Sequence, residues 1–106
     1  FSEPEPDIAV VRGSPRDFVA GHPQHFLILI EVSESSLSYD RGRKLAAYAR
    51  NTVPEYWVID LTTETVEVYR DPRADAYTTM LTLRRGGAIT PLHAPNVTIS
   101  VDDILP

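Results

Sequence analysis

Three charged side chains stand where solvation alone does not account for them. Asp7 heads a short apolar run immediately after Pro6. Glu31 closes the apolar run Phe26–Ile30, where a carboxylate needs a partner or a cation to offset its desolvation. Lys44 is the only lysine in the chain and follows Asp40 by four positions, so the two share a helical face.

Two carboxylates on neighbouring strands can hold one hard divalent cation through oxygen ligands, with waters completing the shell. A nearby ammonium can orient or polarise an attacking water, while the cation stabilises charge developing on a phosphate. The same residues admit a structural reading, with Asp7 capping a strand, Glu31 at a solvated sheet end and Lys44 paired with Asp40. Spacing alone leaves both open.

Most other chemistries drop out. The chain has no cysteine, which excludes disulfides, zinc–thiolate sites and thiol catalysis. His22, His25 and His93 lack metal-ligand spacing and read as surface or loop residues. Nothing resembles a nucleophile elbow or a phosphate-binding glycine loop; Arg85-Gly86-Gly87 reads as a hairpin turn. Arg84 and Arg85 read as a small solvated basic tip. Ten Lys+Arg against fifteen Asp+Glu give a formal charge of −5, which argues against bulk positive charge holding nucleic acid. No apolar run approaches the roughly 20 residues of a membrane span, so a soluble, cytoplasmic protein is expected. Its 106 residues suit one domain. The first residue is Phe1 and the opening FSEPEPD is linker-like, so the chain reads as a fragment or processed product.

The elements that must position these residues follow in order. Asp7–Val11 reads as a strand, Arg12–Pro23 as a loop, and His25–Val32 as a central strand covered on both faces. SESSLS supplies capping serines for a helix over Ser38–Arg50, on which Leu37, Arg41, Leu45, Tyr48 and Thr52 recur at spacings of three and four. Pro54 ends it. Glu55–Asp60 reads as a buried strand, Leu61–Glu64 as a turn, Thr65–Arg70 as its hairpin partner and Tyr77–Leu83 as a third meander strand. The tail around Val97, Ile99 and Val101 suits an edge strand, followed by a terminal turn near Asp102–Leu105.

The strings Pro6-Asp7, LILIEVSESS and YDRGRKLAAYARNTVPEYWVIDLTTETVEVYR resemble the Uma2 family of restriction endonucleases, a branch of the PD-(D/E)XK nuclease superfamily. The similarity runs from Pro6 to the C-terminus and is strongest from Leu27 to Arg70. Its most telling segment is Asp40…Lys44…Tyr48…Pro54-Glu55-Tyr56-Trp57…Asp60. The resemblance implies an α/β fold with a restriction-endonuclease-like mixed central sheet, a crossover helix and a C-terminal β-meander. It implies that Asp7 and Glu31 bind the metal, Mg²⁺ or alternatively Mn²⁺, with the main-chain carbonyl of Val32 as a further ligand. The superfamily usually places its lysine two positions after the second acid, where this chain has Ser33. In this branch the lysine is moved to the next helix, which Lys44 fits. Asp40 and Glu55 match further acidic positions of the family.

The implied activity is metal-dependent hydrolysis of DNA, with Lys44 positioning the water. Full-length relatives carry a helix and hairpin before the PD strand, so residues 1–106 are expected to be one nuclease-like domain lacking its N-terminal part. A nuclease fold that does not cut and serves as a binding or assembly module is the alternative; the charge and the short N-terminal region favour it. Three structural expectations follow. Ile28, Ile30, Val32, Trp57, Val58 and Ile59 should be buried, in two parallel strands joined by a right-handed crossover. Asp7 and Glu31 should lie close enough to share one cation, with Lys44 entering the same pocket. An uncovered sheet edge should drive homodimerisation, with the Tyr69–Tyr77 meander as candidate surface.

Overall fold

The two near-continuous apolar runs of the sequence lie side by side within a five-stranded sheet. In the computed structural model, which describes residues 7–11, 26–34 and 38–106, Ile8–Val11 (β1) pairs antiparallel with Phe26–Ser33 (β2). Next to β2 runs Glu55–Asp60 (β3), parallel to it, with Ile30 beside Trp57 and Val32 beside Ile59. Parallel neighbours need a crossover, and Ser38–Arg50 (α1) supplies it. Thr65–Arg73 (β4) and Ala76–Arg84 (β5) then add antiparallel to β3, so the order is β1-β2-β3-β4-β5. This is the restriction-endonuclease-like mixed sheet with crossover helix and meander that the sequence predicts.

Local chemistry sets the joints. Val53 precedes Pro54 and donates back to the Tyr48 carbonyl, while Thr52 takes a left-handed φ of 55° to end the helix. Between β3 and β4, Asp60 Oδ1 accepts hydrogen bonds from the Thr62 and Thr63 amides at 3.0 and 3.2 Å, fixing the turn.

β3 is buried along its whole length because both faces of the sheet are covered. On one face α1 packs Leu45 and Tyr48 against Leu29, Tyr56, Val58, Tyr69 and Tyr77. On the other, the C-terminal segment lays Ile89, Val101 and Leu105 over Ile28, Trp57, Ile59, Val66 and Val68.

Several sequence expectations are corrected. The tail adds no strand to the main sheet: Ile99–Ser100 (β7) pairs with Ala88–Ile89 (β6) in a separate two-stranded sheet, followed by the short helix Val101–Ile104 (α2). The turn at Arg84–Gly87, in which Gly86 adopts φ 90°, therefore leads away from the main sheet and does not close a hairpin. Val32, expected in the core, is 41% exposed, and Ile30 is only partly buried. Both point to the face opposite α1. The C-terminal segment covers that face over β3 and β4 but stops short of the end of β2. Ile28, Trp57, Val58 and Ile59 are buried as predicted. The Arg12–Pro23 loop, the capping serines at 35 and 36, His22, His25 and the Asp40 side chain lie outside the described residues.

Candidate active site

Alternation along β2 decides where its carboxylate goes. Leu29 lies beside Tyr56 and Glu31 beside Val58, so Glu31 points to the face covered by α1. Lys44 precedes the buried Tyr48 by one helical turn, which brings its aliphatic stem over the same face. The two meet: Lys44 Nζ lies 2.6 Å from Glu31 Oε1, with the side chains 21% and 14% exposed respectively. Ser33 shares the face of Glu31 two positions on. A lysine delivered by α1 thus arrives on the face of the sheet that Glu31 and Ser33 share.

Asp7 is tied to the same stretch of β2. Its amide donates to the Ile30 carbonyl at 3.0 Å, and its Oδ2 accepts from the Val32 amide at 2.6 Å. A strand residue's N–H and C=O point to the same edge, so the Val32 carbonyl faces the Asp7 side as well. The start of β1 is thus tied to the end of β2 through Asp7 and Val32, while Lys44 of α1 meets Glu31 one residue earlier on β2.

One atom here is under-satisfied. Glu31 Oε2 is buried and has no hydrogen-bond partner among the described residues. An unpaired carboxylate oxygen costs free energy unless something positive or protic meets it. A cation would meet that need, and the donors at hand are all oxygens, the set that suits a hard ion such as Mg²⁺. Among the described residues no cluster of three or more His, Cys, Asp or Glu forms a metal site.

Glu55 sits elsewhere. It shares the face of Trp57 and Ile59, away from Glu31, and is fully buried. Its Oε2 accepts from Trp57 Nε1 at 2.8 Å and Arg70 Nε at 2.9 Å, and its Oε1 from the Leu92 amide at 2.9 Å. Arg70 continues to the Thr90 carbonyl at 2.7 Å. This carboxylate clamps the C-terminal segment onto β3 and β4. Sequence reasoning left the role of Glu55 open and missed Arg70; the signal was their equal distance from the Leu61–Glu64 turn, which makes them a cross-strand pair. His93 is exposed, in keeping with its reading as a surface residue. Arg85 is likewise a surface residue, bonded to Glu64 at 2.6 Å and to the Pro106 carbonyl at 2.7 Å.

Among curated proteins the chain finds no match. Against protein families it matches Uma2, described as "Putative restriction endonuclease", over residues 1–102. That description points to nuclease activity, and restriction-endonuclease-like families generally use divalent metals. Because the match takes in 102 of 106 positions, including every strand and the helix that carry the site, the chain belongs to the Uma2 family.

Proposed function

We propose that the chain is the catalytic domain of a metal-dependent endonuclease that hydrolyses DNA phosphodiester bonds. The observation that carries this reading is the Glu31 carboxylate, one oxygen held by Lys44 at 2.6 Å and the other buried without a partner among the described residues. A bound Mg²⁺ or Mn²⁺ would supply charge for the developing phosphorane and lower the pKa of a water.

The chain's own residues do the rest. Glu31 Oε2 and the second oxygen of Asp7 are the side-chain ligands, and the Val32 carbonyl is the main-chain one. Asp7 is oriented by the Val32 amide, which fixes one of its oxygens. Lys44 donates one N–H hydrogen bond to Glu31; the ammonium has two more N–H groups, available to a water or a phosphate oxygen. Its bond to Glu31 keeps that head on the α1-covered face of the sheet.

Calorimetric titration with Mg²⁺ and Mn²⁺, run beside nicking of supercoiled DNA, tests the reading. Asp7→Asn and Glu31→Gln should abolish both cation binding and nicking while the far-ultraviolet circular dichroism stays unchanged. Lys44→Ala should retain the cation and slow nicking by about 10²-fold or more. Cation binding without nicking in the intact protein would favour the binding-module alternative. Nicking that survives both carboxylate changes would remove Asp7 and Glu31 from the chemistry.

A further inference from the structure

β5 is the outer strand of the sheet among the described residues, and between its two ends it lacks the charges and prolines that commonly defend an edge. From Ala76 to Leu83 it carries no charged residue and no proline, where natural edges are commonly blunted by both. Met80 is 55% exposed and Leu81 41% exposed. Adjacent strand residues point to opposite faces, so these two apolar groups lie on both sides of the sheet. A partner docking on one face would cover only one of them. A strand laid against the edge covers both.

The sequence of β5 selects the occupant. About a two-fold axis at Met80, antiparallel pairing sets Met80 against Met80, Thr79 against Leu81 and Thr78 against Thr82, with no like charges opposed. At the ends it brings the exposed Asp75 of one copy beside Arg84 and Arg85 of the other, twice over. Neither Asp75 nor Arg84 has an ion pair within the chain among the described residues. We propose that β5 joins two copies of this chain edge to edge into a continuous ten-stranded sheet, with Met80 on the axis. The sequence-based candidate, Tyr69–Tyr77, gives way to a surface centred on β5, because Tyr69 and Tyr77 are engaged with Tyr56 under α1. The inference stands independently of the nuclease reading.

Sedimentation equilibrium of the intact chain should show a dimer. Met80→Lys opposes two ammonium groups on the axis and should raise the dissociation constant at least about tenfold. Its own fold is not at risk, since Met80 is already exposed. Asp75→Arg and Arg84→Asp should each weaken the dimer, and combining them in one chain should restore it. The chain has no cysteine, so Met80→Cys introduces a unique thiol. Directly opposed strand residues lie about 4.5–5.5 Å apart, within disulfide reach, so mild oxidation should cross-link this variant quantitatively. A monomer at high micromolar concentration overturns the proposal. So does a dimer that is indifferent to Met80→Lys, or a Met80→Cys variant that does not cross-link.

Discussion

Lys44 and Glu31, thirteen residues apart in sequence and on different elements, are joined at 2.6 Å across the α1-covered face of the sheet. The pair is partly shielded, so each charge depends on the other for much of its compensation. In metal-free protein, Lys44→Ala should cost about 1 kcal/mol in urea unfolding, the range of a partly exposed charged hydrogen bond. Added Mg²⁺ should recover part of that loss, because a cation can replace the ammonium beside the carboxylate. Equal losses with and without Mg²⁺ would show that the pair serves the fold alone.

Glu55 should be the more costly carboxylate to remove. Glu55→Ala strands Arg70, the Trp57 indole N–H and the Leu92 amide at once. Breaking a buried, multiply bonded ion pair costs about 3 kcal/mol or more. Urea denaturation should show that loss, and hydrogen exchange should show the amides near Thr90–Leu92 losing protection first.

Alkaline stability should depend on Tyr77. Burial pushes its phenol well above the ordinary value of 10.0, and the neighbouring Tyr48 adds to the effect. Its hydroxyl donates to the Val53 carbonyl at 2.7 Å. A raised folded pKa means that the neutral form is favoured in the native state. Its stabilising contribution is complete below about pH 10 and falls away as pH rises beyond that, once the unfolded chain ionises first. Thermal melts of the native chain should therefore decline steeply above pH 10. In Tyr77→Phe that decline should be shallower, at the expense of about 1 kcal/mol near neutrality from the lost hydrogen bond.

Two valines one register step from the site should behave oppositely. Val58 is buried beside Glu31, and Val58→Ala should cost about 2 kcal/mol. Val32→Ser, on the exposed face, should stay within about 0.5 kcal/mol. A large loss at Val32 would mean that something covers that face.

What the sequence made legible was the part governed by periodicity. The near-continuous apolar runs of β2 and β3, and the helical spacing between them, were enough to place a parallel pair with a crossover. The acidic head of β1 and the end of β2 were marked by their apolar flanks. Burial was less readable. Val32 looks like its neighbours in sequence, but its exposure depends on how far a segment sixty residues away extends over β2. The tail's apolar spacing suited an edge strand, yet Ile89, Val101 and Leu105 serve as a lid on the second face. The role of Glu55 turned on a main-chain donor at Leu92, which no residue type announces.

Among the described residues β1 contributes four residues to the sheet and lies at its other edge, with Ile8 half exposed, yet it carries the attachment of Asp7. In the proposed site, Asp7 stands at the head of the shortest described strand of the main sheet, which couples recognition to local folding. Whatever binds Asp7 together with Glu31 must draw on the docked fraction of β1, and a strand docked a tenth of the time would weaken apparent affinity about tenfold. The reverse also holds, since occupancy of the site would hold β1 in place. Its amides would then report ligand binding through slowed exchange with solvent, while those of β3 would not change. The edge strand would act as a gauge of site occupancy, readable without following any reaction.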